Sequence, residues 1–217
     1  MIIHDNEIKA PIFGISRHRI GTDGKGVTTL VTFMMCPLRC KYCLNERCHD
    51  DVEGNDKVMM LSPRELYDIV KVDNIYFQAT GGGICFGGGE STLYVMFIEK
   101  FRKLCGDRWK ITLETCLRCT YKNIFKLSNV VDYWIVDVKS MDDEIYQKYT
   151  GKVSYIKQHL RSLSICVKPD KVMIKVPYIT DFNRKEDLNE DVDLIKQQYG
   201  FENVRIVDYI KPKSRNL

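Results

Sequence analysis

Short β-branched or aromatic runs alternate along this chain with capped, amphipathic stretches, and that order restricts the architecture more than any other feature. Thr29-Leu30-Val31-Thr32-Phe33 reads as a strand. Ser62-Pro63-Arg64-Glu65 opens a helix: Ser62 is the N-cap, Pro63 suits the first helical position and Glu65 can close a capping box. Ile75-Tyr76-Phe77 and Ile84-Cys85-Phe86 flank a glycine tract. Ser91 is then expected to cap a helix running to Cys105, with Leu93, Met96, Phe97 and Leu104 mainly on one face. Further strands are expected at Lys110–Leu113, Tyr133–Val136, Val172–Val176 and Val204–Val207. Helices are expected at Tyr121–Leu127, after the cap Asp142, at Tyr155–Cys166 and at Asp187–Tyr199, the last closed by Gly200.

Strands separated by helices are the pattern of parallel βαβ units, in which the connection crosses the face of the sheet. Roughly six strands are expected, too few for a closed eight-stranded barrel, which takes about 250 residues. The 217 residues therefore suit an α/β fold, a partial, open (β/α)6 TIM-type barrel. No repeat, low-complexity segment or long linker divides the chain, so a single domain over 1–217 is expected.

Composition narrows the function. Lys and Arg number 33 against 29 Asp and Glu, a net charge of +4, too balanced to suggest a nucleic-acid groove. No apolar run is long enough to span a bilayer, and Met1–Gly14 carries His4, Asp5, Glu7 and Lys9 where a signal peptide needs an apolar stretch. No nucleic-acid or membrane partner is expected, and the location is expected to be cytoplasmic. Nine cysteines in such a chain argue for thiols kept reduced and used for metal or redox chemistry rather than for a disulfide framework.

Cys36, Cys40 and Cys43 fall within eight positions just after the first expected strand, in Cys36-Pro37-Leu38-Arg39-Cys40-Lys41-Tyr42-Cys43. The loop after a barrel strand lies on the face where active sites are built. Three thiolates in a short loop can wrap one metal centre, and soft sulfur selects zinc or an iron–sulfur cluster. Zinc would need a fourth ligand, from Cys48 or His49. A cubane on three thiolates leaves one iron open for a substrate. A second feature is Gly81-Gly82-Gly83-Ile84-Cys85-Phe86-Gly87-Gly88-Gly89-Glu90, where glycines permit positive φ and close backbone approach. No Gly-Lys-Ser/Thr follows, so it is not a phosphate loop. Further on, Leu113-Glu114-Thr115 and Ile135-Val136-Asp137-Val138-Lys139 place charged or polar groups at strand ends.

Cys-x3-Cys-x2-Cys with an aromatic residue before the last Cys, followed by Gly88-Gly89-Glu90, resembles the radical S-adenosylmethionine superfamily. The strand ends, and Met141-Asp142-Asp143-Glu144-Ile145-Tyr146-Gln147 after them, resemble its glycyl-radical enzyme activases. The resemblance implies a [4Fe-4S] cluster on Cys36, Cys40 and Cys43, with S-adenosylmethionine chelating the fourth iron. It implies cofactor contacts from the backbone at Tyr42, from Gly88, Gly89 and Glu90 to the amino group, and from Asp137 and Lys139 to the methionine end. It further implies a candidate site for a monovalent cation at Glu114, Thr115 and Asp137, with Glu114 in place of the family's Asp. Lys175 stands where an Arg lies on the substrate side. The implied activity is reductive cleavage to methionine and a 5′-deoxyadenosyl radical, which takes a hydrogen from a glycine of a partner enzyme or peptide. A flavodoxin- or ferredoxin-type protein would donate the electron.

The chain also departs from the pattern. Gly24-Lys25-Gly26 replaces a Gly-Pro-Gly-like lead, Tyr209-Ile210-Lys211 stands where a late His would contact the cofactor, and no second-cluster insert follows Cys43. A radical enzyme acting on a small molecule or peptide, of deazaguanine-synthase or peptide-maturing type, is one alternative. A zinc module on Cys36, Cys40, Cys43 and Cys48 is another. Cys116 and Cys119 form a C-x-x-C pair that could bind metal or be redox-active, while Cys85, Cys105 and Cys166 sit in apolar segments and read as core.

Overall fold

The computed structural model describes residues 8–179 and 182–209; His4 and the Ile210-Lys211 pair lie outside them. Eight strands form one sheet: β1 (Ala10–Ile20), β2 (Val27–Phe33), β3 (Met59–Leu61), β4 (Gly83–Gly88), β5 (Lys110–Thr115), β6 (Tyr133–Asp137), β7 (Val172–Tyr178) and β8 (Val204–Asp208). Their spatial order is β3-β1-β2-β4-β5-β6-β7-β8. Every neighbouring pair from β2 to β8 is parallel. These are the six strands expected from the alternating pattern, in an open α/β sheet of partial-barrel type. The remaining two are additions: β1 runs antiparallel to β2, and β3 antiparallel to β1.

Helices α1 (Pro63–Val70) and α2 (Asn74–Thr80) connect β3 to β4. Helices α3 (Val95–Cys105) and α4 (Tyr121–Ser128) follow β4 and β5. Then α5 (Asp143–Thr150) and α6 (Ile156–Cys166) join β6 to β7, and α7 (Lys185–Tyr199) leads to β8. Local chemistry sets the boundaries. The Ser62 hydroxyl accepts from Glu65 N while Glu65 Oε2 accepts from Ser62 N at 2.7 Å, a complete capping box. Asp142 caps α5 by accepting from Ile145 N, and Gly200 ends α7 with φ 72°.

Of the two runs that flank the glycine tract, Ile75–Phe77 belongs to α2 and Ile84–Phe86 lies in β4. One local expectation changes. At the start of the next helix the cap is Glu90 rather than Ser91: the Glu90 side chain accepts from Thr92 N at the head of a short 3-10 turn, and the Ser91 hydroxyl is buried without a partner. The buried face of α3 is accordingly Phe97, Ile98, Phe101 and Cys105, with Leu93 and Met96 outside.

The core lies between sheet and helices. Phe33 stacks on Phe86 and Tyr94 at centroid separations of 5.3 and 4.2 Å, and meets Phe97 edge-on. Trp109 packs on Tyr67 and Phe77 and donates its indole N–H to Asn74 Oδ1 at 2.8 Å. Cys85 and Cys105 are buried and Cys166 half-buried, as expected of core thiols.

Candidate functional site

A cavity of about 440 Å³ opens at the C-terminal ends of the parallel strands. That is the face where crossover connections leave the backbone free to form a site. Cys36, Cys40, Tyr42 and Cys43 line it from the loop after β2, Gly88 and Gly89 from the end of β4, and Glu114 and Thr115 from the end of β5. Asp137 and Lys139 enter from β6, Lys175 from β7, and Asp208 and Tyr209 from β8 and the residue beyond it. Of the residues named for the cluster, the cofactor, the cation and the substrate side, Glu90 does not line the cavity.

The cysteine loop is clamped on both sides. Gly89 N donates to Phe33 O and Glu90 N to Met35 O, both at 2.8 Å, while Met35, at φ 66°, donates to Cys48 O at 2.7 Å. On the far side Arg39 N and Lys41 N donate to Thr150 O and Tyr149 O at the end of α5. Gly89 is needed for this clamp: a Cβ there would lie 2.2 Å from Met35 O, so its bare backbone accommodates the loop itself.

The three thiols differ in environment. Burial pushes Cys40 up to about 12. A hydrogen bond from Cys48 brings Cys43 below its ordinary range, and one from Cys116 does the same for Cys36. The Sγ atoms of Cys43 and Cys48 and a ring nitrogen of His49 lie within 4.8 Å of one another, the one such metal-ligand group among the described residues. The four thiols of a zinc module, Cys36, Cys40, Cys43 and Cys48, are not gathered in that way.

Glu90 is fully buried and its carboxylate is used within the protein. Oε1 accepts from Thr92 N at 3.0 Å and from the Thr92 and Thr115 hydroxyls at 2.6 Å, and Oε2 from Cys116 N at 2.9 Å. The charge is therefore turned away from the cavity, and an ammonium group at this turn would meet the backbone of Gly88 and Gly89 instead.

The oxygens named for a cation are likewise engaged. Glu114 Oε1 pairs with Lys175 Nζ at 3.2 Å, and the Thr115 hydroxyl, besides donating to Glu90, accepts from Leu117 N. Asp137 Oδ2 holds Lys139 Nζ at 2.5 Å. Asp137 Oδ1 is buried with no partner. Burial opposes the charge on Lys139, but Asp137, Tyr149 and Cys40 more than offset it and raise the ammonium above its ordinary value. Burial raises Glu114.

Sequence reasoning missed the aromatic wall. Tyr42 meets Phe182 and Tyr209 edge-on at 5.3 and 5.1 Å and Tyr149 at 6.3 Å, with Lys41 and Lys148 over the Phe182 ring. Four separate segments supply these rings, and no local pattern marks them. The C-x-x-C pair, whose role the sequence left open, is divided by the fold: Cys116 lines the cavity, whereas Cys119 does not and donates to Leu117 O.

The donor set fits an iron–sulfur cluster with a zwitterionic amino-acid cofactor. Three soft thiols stand beside a protonated lysine suited to a carboxylate and a partnerless buried carboxylate oxygen suited to an ammonium group. Comparison with known proteins agrees. A family model described as the radical SAM superfamily matches residues 30–195. A pyruvate formate-lyase-activating enzyme of Clostridium pasteurianum is 31% identical over 189 residues, 86% of this chain and 77% of that protein. A choline trimethylamine-lyase activating enzyme of Oleidesulfovibrio alaskensis is 25% identical over an alignment of 262 residues, 94% of this chain and 84% of that protein. Among solved structures, Streptococcus suis SuiB bound to precursor peptide SuiA superimposes with a TM-score of 0.63 at 16% identity, over 83% of this chain and 38% of that one. QueE from Escherichia coli does so with a TM-score of 0.58 at 15% identity, over 92% and 83%. At those identities the two structures share the fold. No helix among the described residues is long and apolar enough to cross a membrane.

Proposed function

The chain belongs to the radical SAM superfamily, and on that premise we propose that it is an activating enzyme for a glycyl-radical enzyme, abstracting a hydrogen from a backbone glycine of that partner. The observation that carries the reading is the convergence, in one open cavity at the strand ends, of three thiols with the Asp137–Lys139 pair and the Gly88–Gly89 backbone. The two activating enzymes of glycyl-radical systems at 25–31% identity support the substrate class.

In this reading Cys36, Cys40 and Cys43 hold a [4Fe-4S] cluster beside S-adenosylmethionine. Bound there, the pair would supply one-electron reductive cleavage of the cofactor's sulfonium and, from it, hydrogen-abstracting chemistry. The protein binds and orients. Lys139, kept protonated by Asp137, pairs with the methionine carboxylate, and the Gly88–Gly89 backbone with Asp137 Oδ1 accepts from its ammonium. Tyr42 and its ring neighbours flank the adenine. Leu38 and Ile135 in the cavity wall keep water from the reacting carbon. Lys175, pinned by Glu114, lies on the side where the partner's glycine enters. With Glu114 and Thr115 already engaged, the lysine ammoniums carry the charge that a monovalent cation would bring.

The same chain, as one domain over 1–217 in the cytoplasm, takes its electron from a flavodoxin- or ferredoxin-type donor; exposed Arg39, Lys41 and Arg47 on the cluster loop suit an acidic protein of that kind. The test uses anaerobically reconstituted protein, reductant, S-adenosylmethionine and the glycyl-radical enzymes encoded beside its gene. The expected result is a glycyl-radical doublet by electron paramagnetic resonance with 5′-deoxyadenosine released. 5′-Deoxyadenosine without a protein radical on any such partner overturns the activase reading.

A further inference from the structure

Cys48 and His49 end the short 3-10 turn Glu46–His49 just past the cysteine loop, and the cluster reading uses neither. Their side chains nonetheless converge on one of its ligands. Cys43 Sγ, Cys48 Sγ and a ring nitrogen of His49 all lie within 4.8 Å of one another. The backbone of the turn is fixed: Cys48 N donates to Asn45 O at 2.9 Å, and Cys48 O accepts from Met35 N at 2.7 Å. Cys48 is buried and lines the cavity with Cys43, while His49 stands half-buried outside it.

Two thiolates and an imidazole make a borderline-soft donor set. It suits zinc and disfavours calcium or magnesium, which take oxygen ligands. Zinc bonds of about 2.3 Å to sulfur and about 2.1 Å to nitrogen put tetrahedral ligand atoms roughly 3.5–3.8 Å apart, so this trio need close by only about 1 Å. Three protein ligands leave the fourth position to water. At nitrogen and sulfur sites zinc also binds more tightly than ferrous iron. An ion seated here holds Cys43 against iron, and Cys36 with Cys40 cannot then complete a three-thiolate cluster.

We propose that the cluster-free protein binds one zinc ion through Cys43, Cys48 and His49, and that this ion and the cluster exclude one another because both need Cys43. Binding releases the thiol protons to solvent and transfers no electron. The zinc site stands on the ligand geometry, and only its competition with iron rests on the cluster reading above. The experiment titrates zinc anaerobically into the whole, chelator-stripped chain against a chromophoric chelator, with cobalt as a spectroscopic stand-in. One zinc per chain is expected, and cobalt should give the intense visible bands of a tetrahedral, thiolate-bound ion. Cys48→Ser and His49→Gln should each weaken zinc binding by at least about tenfold, the scale on which even outer-sphere partners of a metal act. Cys40→Ala should leave zinc binding unchanged. On reconstitution with iron and sulfide, zinc-loaded unsubstituted protein should take up less iron than zinc-free protein, while Cys48→Ser and His49→Gln should load equally with or without one equivalent of zinc. Should Cys48→Ser, altered at a buried position, fail to fold, His49→Gln carries the test alone. Unchanged zinc affinity in the folded variants overturns the site, as does an equal loss in Cys40→Ala, which would put the ion on the cysteine loop instead. Protein carrying zinc and a full cluster at once overturns the exclusion. Zinc-free unsubstituted protein that takes up no iron overturns the cluster reading, a separate outcome that leaves the zinc titration standing.

Discussion

Burial holds the Cys40 thiol near 12, so in the absence of metal it stays protonated at neutral pH, and only a metal that compensates its charge makes it a thiolate. Cys40→Ala is therefore expected to abolish cluster retention and 5′-deoxyadenosine formation together, read by iron content and by chromatography; full activity in that variant would remove Cys40 from the ligand set. Gly89→Val is expected to lose iron as well as cofactor affinity, because the new side chain meets Met35 O and displaces the cysteine loop. A Gly89→Val protein with a full complement of iron would show that the loop can yield. At this scale legibility followed chain distance. Cys36, Cys40 and Cys43 are readable because their spacing is local, and Asp137 and Lys139 because they end a strand. The part played by Glu90 was not, since its partners Thr115 and Cys116 come from the next strand and its end, and Phe182 and Tyr209 meet Tyr42 only through tertiary structure.

Among the elements, α1 is defined by its first turn. Ser62 and Glu65 satisfy two backbone donors that would otherwise be orphaned, so Ser62→Ala is expected to cost about 1 kcal/mol in chemical denaturation without altering activity. No measurable loss would mean that water replaces the cap. The strand β1 was illegible for a physical reason: its outer half, Arg17-His18-Arg19, is polar, and its pairing with β2 is broken by register shifts. What secures it is Asp73, wholly buried before α2, which binds Arg17 and His18 of β1 and the Thr29 hydroxyl of β2. Burial acts to raise the Asp73 carboxyl, but Arg17 and Thr29 more than offset it and the net shift is downward. A carboxylate depressed in the folded state stabilises above its unfolded value of about 3.9 and loses that contribution as pH falls through the folded value. Acid unfolding should thus steepen below about pH 4, and Asp73→Asn should flatten that limb while lowering stability at neutral pH. An unchanged acid limb would assign the transition to other carboxylates.

For the molecule as a whole, the alternation of strands and helices carried the architecture because each parallel strand must be followed by a crossover, which leaves few ways to order six of them. The same arrangement separates what holds the protein together from what it holds. Phe33, Phe86, Phe97, Phe101 and Trp109 pack between sheet and helices, while Cys36, Cys40 and Cys43 line the cavity at the strand ends. A small zinc module lacks such a core and unfolds when its metal is removed. Stripping iron from this protein with a chelator is therefore expected to leave its far-ultraviolet dichroism nearly unchanged. Faster hydrogen exchange should be confined to residues 34–50 and the β4 turn that clamps them. The stability lost should be only the binding linkage, which grows with the logarithm of ligand over its dissociation constant. Cooperative loss of the whole dichroism signal on chelation would show instead that the metal, and not the aromatic core, supports the sheet, and the apolar separation argued from Phe33 and Trp109 would then be wrong.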